Sequence, residues 1–197
     1  FESLDHIVER SKMGEKKEII LGINIPEIRG NFRKLCKAIG QKNITEFSYR
    51  LDKTKEAKIL VGLELAQGPK AKSAFIKSMK NKKYRVSDYS DDEISKVHLR
   101  YMSGGRGPEL PKDKIEEVFK VDFPERPGAL AQFLDLLRDR WNISLFHYKN
   151  QGSIYGGALV GFSIYKNELE KLNKDLLKTE YPFLRVTENA GYQDFLK

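Results

Sequence analysis

Two stretches of the chain carry the same sequence of apolar and polar positions. The more regular one runs from Val118 to Lys149, VFKVDFPERPGALAQFLDLLRDRWNISLFHYK. Val118, Phe119, Val121 and Phe123 form a short run of β-branched and aromatic residues, which predicts a strand. Pro124 and Pro127 stop it, because neither has a backbone N–H for a sheet ladder. After Gly128, Leu130, Phe133, Leu134, Leu137 and Trp141 fall at i, i+3, i+4, i+7 and i+11, one apolar face at helical period. Ile143 to Tyr148 reads as a second strand.

The upstream copy is Ile19 to Arg50, IILGINIPEIRGNFRKLCKAIGQKNITEFSYR. Pro26, Glu27 and Gly30 match Pro124, Glu125 and Gly128. Phe32, Leu35, Cys36 and Ile39 repeat the helical face. Asn43-Ile44-Thr45 matches Asn142-Ile143-Ser144, and Tyr49-Arg50 matches Tyr148-Lys149. The match extends through Val61-Gly62-Leu63 with Val160-Gly161-Phe162 and Arg85-Val86-Ser87 with Arg185-Val186-Thr187, the offset drifting from 98 to 100. A repeat this long is a duplication.

Taken in order, residues 1–12 predict a short helix with Leu4, Ile7 and Val8 inward, ended by Gly14. Strands follow at Ile19–Ile25, Ile44–Arg50, Lys58–Leu65 and Tyr84–Asp88, with helices at Asn31–Ile39 and Lys72–Asn81. Gly68-Pro69 reads as a break. Ser90-Asp91-Asp92-Glu93 reads as a capping box that starts a helix with Ile94, Val97, His98 and Tyr101 on one side. The glycines and prolines from Met102 to Pro111 mark a linker. The second half repeats the order, with strands at Ala158–Tyr165 and near Phe183–Thr187, a helix at Asn167–Lys178 and a tail helix at Gly191–Lys197. The expected fold is therefore α+β: two tandem ferredoxin-like βαββαβ units, each a four-stranded antiparallel sheet with both helices on one face. The boundaries are 1–17 for a connecting helix, 18–103 for the first unit with its following helix, 104–111 for the linker and 112–197 for the second unit.

Composition narrows the class. The 197 residues carry a net charge of +8 and a single cysteine. No apolar run approaches the roughly 18 residues of a membrane span, and no signal-peptide pattern is present. The lone Cys36 excludes an intramolecular disulfide, fits a reducing compartment and lies on an apolar helix face, where it reads as a packing residue. The lysines are spread over the outward faces of helices and read as solvated surface. A start at Phe1 rather than methionine points to a piece of a longer chain or to a processed product.

Catalytic motifs are missing. The three histidines do not sit with cysteine or carboxylate at metal-ligand spacing, and there is neither a GxSxG elbow nor a Walker loop. Gly104-Gly105-Arg106-Gly107 follows a helix, so it reads as a hinge. The repeat instead offers a binding geometry. Gly30 and Gly128 stand where a strand turns into a helix, and free N–H groups and the helix dipole there suit a carboxylate. Without a β-carbon they let a ligand approach. Asn43 and Asn142 supply acceptors for an ammonium, and Tyr49 and Tyr148 close the same strands. Two other readings compete. One is an RRM-like RNA-binding module, for which Tyr155 to Phe162 would be the aromatic strand. The other is a stand-alone amino-acid sensor acting on a partner protein.

FPERPGAL followed by RWNISLFHYK, with SDDEISKVHLRYMSGGR upstream, resembles the C-terminal regulatory region of biosynthetic threonine dehydratase (threonine ammonia-lyase). The GEKKE segment, the IPE…G turn and TEFSYR of the first unit fit the same family. The resemblance implies a pair of ACT-like subdomains that sense isoleucine, counteracted by valine, and that follow a catalytic domain absent here. That domain uses pyridoxal phosphate to convert threonine to 2-oxobutanoate and ammonia. This chain alone would then be no enzyme and hold no cofactor. Its partners would be isoleucine, valine, its own catalytic domain and further copies in a tetramer, with no nucleic acid or membrane. Its location would be cytoplasmic, or plastid or mitochondrial in a eukaryote. Carried over by motif, Tyr49 in FSYR and Tyr148 in FHYK correspond to effector-binding tyrosines. Arg100 in HLRYM and Lys149 correspond to positions that set feedback sensitivity. The family often has arginine at Lys149; lysine keeps the charge and loses the planar fork. Ile28-Arg29-Gly30 stands where the second unit has Arg126-Pro127-Gly128, so the two sites are expected to differ in affinity or ligand. The effector would bias one state of the pair and pass that bias to the catalytic domain through the Phe1–Lys12 helix.

Overall fold

A computed structural model describes residues 17–51, 55–65, 68–96, 105–107, 109–124, 126–150 and 155–197. The expected helix at 1–12, and Val97, His98, Arg100 and Tyr101, lie outside them. The first unit is β1 (Lys17–Pro26), α1 (Asn31–Ile39), β2 (Asn43–Arg50), β3 (Glu56–Leu65), α2 (Gly68–Asn81) and β4 (Arg85–Asp88). The second is β5 (Lys114–Pro124), α3 (Ala129–Leu137), β6 (Asn142–Lys149), β7 (Tyr155–Tyr165), α4 (Leu169–Leu177) and β8 (Phe183–Arg185), followed by α5 (Ala190–Phe195). Each unit has the βαββαβ order that the repeat predicts.

The two sheets do not stay separate. All eight strands form one antiparallel sheet in the order β4-β1-β3-β2-β6-β7-β5-β8. In a lone unit β2 or β6 would be an edge with unpaired backbone groups. Here they pair with each other, Phe47 opposite Tyr148, Ser48 opposite His147 and Tyr49 opposite Phe146. Phe47 and Phe146 are repeat equivalents, as are Tyr49 and Tyr148. A pseudo-twofold axis therefore passes through the Ser48–His147 pair.

The helix faces read from the sequence are buried: Phe32, Leu35, Cys36 and Ile39 on α1, and Leu130, Phe133, Leu134 and Leu137 on α3, with Trp141 beyond its end. They join one core that runs through both units. Aromatic rings cross the seam. Phe32 packs on Phe47, Tyr49 and Phe146 at centroid distances of 5.2, 5.2 and 5.4 Å. Burial raises the pKa of the Cys36 thiol, with the charge of Asp135 adding to it, so Cys36 behaves as a small apolar residue.

A duplicated device shapes the central strands. The registers of β2 and β6 each shift once, between Ile44 and Glu46 and between Ile143 and Leu145. Thr45 and Ser144 sit at these bulges and hydrogen-bond Glu18 and Glu116. The facing residues are Gly62 and Gly161. A Cβ at Gly62 would stand 2.4 Å from Thr45 Oγ1, and one at Gly161 2.8 Å from Leu145 Cβ. Each bulge thus requires its glycine.

Several expectations are corrected. Strand β3 ends at Leu65, ahead of Gly68-Pro69 as expected, but α2 already begins at that pair rather than at Lys72, because a first-turn proline gives up only an N–H that has no intrahelical partner. Ser90 is not the cap. Its Oγ donates to Asp88 Oδ1 and accepts the N–H of Ile20, while Asp92 accepts the N–H of Ile94 and the hydroxyl of Ser95. Ile94 is exposed and Ser95 buried, the reverse of the expected face. The last strands are also misaligned by the sequence match. Val86 lies opposite Ile23 and Phe183 opposite Val121, so Val86 corresponds to Phe183 rather than to Val186. Apolar packing against the repeated β1 and β5 positions sets this register, not the shared Arg-Val pair. Finally, the second unit's sheet is covered on its other face, where Tyr192 and Leu196 from the C-terminal segment pack on Val118 and Leu145.

Because the core is shared, Phe146→Ala should destabilise the protein by about 3–5 kcal/mol. Urea unfolding followed by Trp141 fluorescence and by far-UV circular dichroism should give coincident single transitions. Two separated transitions in the wild type, or an unmoved midpoint in the variant, would show that the units fold independently.

Candidate functional site

The pseudo-twofold relation produces two pockets at equivalent places, and each draws on both units. The first is lined by Pro124, Gly128, Leu130 and Tyr148 from the second unit and by Lys42, Asn43 and Ile44 from the first. The second is lined by Pro26, Gly30, Phe32 and Tyr49 from the first unit and by Trp141, Asn142 and Ile143 from the second. The expected residues are therefore brought together, with the asparagines exchanged. Gly128 and Tyr148 meet Asn43, and Gly30 and Tyr49 meet Asn142. Nothing along the chain calls for that exchange, since each motif is contiguous within its own repeat.

Both glycines cap their helices in the left-handed region, Gly30 at φ 88° and Gly128 at φ 82°, without a side-chain cap. Glycine is favoured there, and neither cap position supplies a side-chain hydrogen bond to the first-turn N–H groups. Asn43 donates its side-chain amide to Glu64 Oε2 at 2.6 Å, which leaves Oδ1 as an acceptor. Tyr49 is buried; its hydroxyl lies 2.7 Å from Glu27 Oε1 and 3.2 Å from the carbonyl oxygen of Ile143. The proton goes to Glu27, the closer and charged acceptor. Tyr148 packs over Gly156, where a Cβ would come within 2.5 Å of its ring.

The walls of the two pockets differ. Phe123, Pro124, Ala129, Leu130, Phe146 and Ile44 give the Gly128 pocket a mostly apolar wall, with Lys42 and Arg126 as its charged lining residues. The Gly30 pocket instead carries Glu27, Arg29, Arg33, Arg138 and Asp139, and the bulkier Phe32 replaces Leu130. Above the seam, Arg33 pairs with Asp135 and Asp139 at 2.8 and 2.9 Å, and Lys37 with Asp135 at 2.9 Å.

Arg100 lies outside the described residues. Lys149 sits at the end of β6 opposite the buried Glu46. Its repeat equivalent, Arg50, was passed over in the sequence, yet it forms a buried ion pair at the seam. Its guanidinium grips Glu116 bidentately at 2.6 and 2.9 Å and donates to the carbonyl of Leu196 at 2.6 Å. Tyr192 donates to the same carboxylate at 2.5 Å. The available signal was the Tyr-Arg/Tyr-Lys correspondence itself, which marks Arg50 as strongly as Lys149. Among the described residues, no group of three or more histidine, cysteine or carboxylate side chains is placed to hold a metal, and no helix is long and apolar enough to cross a membrane. The RNA-binding reading fails on β7, where Phe162 is buried in the helix-facing core and cannot stack on a base.

A family model for the C-terminal regulatory domain of threonine dehydratase matches residues 9–99 and 109–196. The chain belongs to this family. It is 39% identical over 197 residues to the biosynthetic L-threonine dehydratase of Burkholderia multivorans and 39% identical over 196 residues to that of Escherichia coli. It is 34% identical over 205 residues to the mitochondrial threonine dehydratase of Saccharomyces cerevisiae. All of the chain is covered in each case, against 38%, 37% and 35% of the relative, so this regulatory domain spans less than two fifths of the length of the curated relatives it matches. It is an ACT-like, non-catalytic domain, and its two matched segments coincide with the two βαββαβ units.

Two buried tyrosines make the seam of this regulatory domain sensitive to alkali. Burial raises the pKa of Tyr49 well above its ordinary value near 10, and the charge of Glu27 adds to it. Burial and the bond to Glu116 do the same for Tyr192. Above about pH 10 the unfolded chain loses both protons while the folded one keeps them, so stability is full below that pH and falls as pH rises. The expected slope is about 1.4 kcal/mol per pH unit for each tyrosine. Denaturation midpoints between pH 9 and 11 should fall more steeply in the wild type than in Tyr49→Phe or Tyr192→Phe; equal slopes would place these phenols in water.

Proposed function

We propose that this domain binds isoleucine in the Gly128 pocket and thereby feedback-controls a pyridoxal-phosphate-dependent threonine ammonia-lyase in isoleucine biosynthesis. The observation that carries this reading is the pocket's combination of an unoccupied helix N-terminus, an amide acceptor and an apolar wall. The backbone N–H groups after Gly128 suit the carboxylate. Asn43 Oδ1 accepts a hydrogen bond from the ammonium. Ile44, Phe123, Leu130 and Phe146 surround a branched aliphatic side chain, and Tyr148 closes the strand end. Valine, one methylene smaller, enters the same pocket at a cost of only about 1–3 kcal/mol, so it competes rather than being excluded.

The ligand would bridge the seam, because its carboxylate is held by one unit and its ammonium by the other. Binding then favours one relative placement of the units over another. The effect on a catalytic domain is limited to the difference in binding free energy between the two states, about 1–3 kcal/mol for allosteric coupling. We assign the connection to that domain to the segment Phe1–Lys12, and the roles in feedback sensitivity to Arg100 and to Lys149 with its buried counterpart Arg50. The parent enzyme is read as a homo-oligomer.

Titration calorimetry of the chain with L-isoleucine should show saturable binding. Tyr148→Ala and Asn43→Ala, which lie on different units, should each weaken it about tenfold or more. Loss in only one of them would mean that the pocket does not span the seam.

A further inference from the structure

The two pockets are duplicates in backbone, yet one of them carries a carboxylate of its own. Helix α3 ends at Arg138, whose backbone has φ 54° and ψ −154°. In the first unit Gly40 has the same conformation, φ 74° and ψ −155°. That region is almost reserved for glycine, so an arginine held there is strained. The turn delivers the next residue, Asp139, to the N-terminus of α1. A Cβ built on Gly30 would lie 3.1 Å from Asp139 Oδ1. The other oxygen of this carboxylate, Oδ2, accepts from Arg33 Nη1 at 2.9 Å. The repeat equivalents around Gly128 are Gln41 and Ala131. There the neighbour within reach of a Cβ is only the Gln41 side chain, at 3.5 Å, and no arginine stands in Arg33's place.

We propose that Asp139 is an internal occupant of the anion position of the Gly30 pocket, so that a free amino acid binds first at Gly128 and enters the Gly30 pocket only when Asp139 is displaced. This rests on the amino-acid-binding reading above and specifies how the two sites divide the work. A second carboxylate brought to the N-terminus of α1 meets the charge of Asp139. Asp139 can leave without unfolding anything. Its side chain is 52% exposed, and Arg33 keeps Asp135 as a partner when it goes. Asp139, and not Tyr49 or Gly30, is then the residue that sets how many effector molecules the domain takes up.

The test is calorimetry of the chain with L-isoleucine, wild type against Asp139→Asn, together with amide resonances followed by NMR. The substitution preserves size and removes the charge at a half-exposed site. The wild type should bind one equivalent, with shifts at the amides of Leu130 and Ala131. Asp139→Asn should bind two, with new shifts at Phe32 and Arg33 and the second site within about tenfold of the first. Two equivalents in the wild type, or one in both proteins, would overturn the role of Asp139 while leaving amino-acid binding at Gly128 standing. Saturable binding in neither protein would overturn both.

Discussion

The antiparallel pairing of β2 with β6 is the interaction on which the rest of the molecule depends. A ferredoxin-like unit ends at its second strand, and that edge exposes a row of backbone donors and acceptors. Two such edges from one chain satisfy each other here, with Phe47, Tyr49 and Phe146 closing the helix side of the seam. On the opposite side, Arg50 reaches from β2 to Glu116 and to the backbone carbonyl of Leu196. A buried bidentate pair of this kind is costly to break, because either partner alone would leave an uncompensated charge. The seam is thus held by backbone pairing, aromatic packing and the buried Arg50–Glu116 pair.

The pockets follow from that seam rather than from either unit. Antiparallel pairing about a pseudo-twofold axis brings the start of each second strand beside the βα turn of the other unit. An asparagine from one repeat therefore faces the glycine of the other. This gives a bound molecule a mechanical role, since whatever fills the pocket holds two units at once. Duplication then allows divergence. Leu130 stands against Phe32, and around the two helix N-termini Ala131 stands against Arg33 and Gln41 against Asp139, so one pocket has the more apolar wall and the other has Asp139 beside its glycine.

Much of this was legible in the residues. The 3.6-residue period of the α1 and α3 faces named their buried positions correctly, because a helix on a sheet has one inward stripe wherever it occurs. The glycine caps were legible too, since the strand-to-helix turn recurs in both repeats. Misreadings arose where local signals compete. Ser90 satisfies the usual capping pattern but is drawn to Ile20 and Asp88, and the cap falls to Asp92. The Arg-Val pair in the last strands suggested a register that core packing overrides. Asp139 and Arg33 carried no signal, because their meeting joins a residue of α1 to one in the turn after α3, 106 positions away.

By itself the sequence determined the duplication, the order of elements within each repeat, the family and the identity of the glycine, asparagine and tyrosine positions. All of these depend on short-range periodicity or on similarity along the chain. Only the tertiary structure decided that the repeats share a single sheet and core, which asparagine serves which glycine, and that one pocket already holds an acidic side chain. The physical reason is that an edge strand specifies the need for a partner but not its identity. The choice is made by the complementarity of two surfaces that exist only after both units have folded.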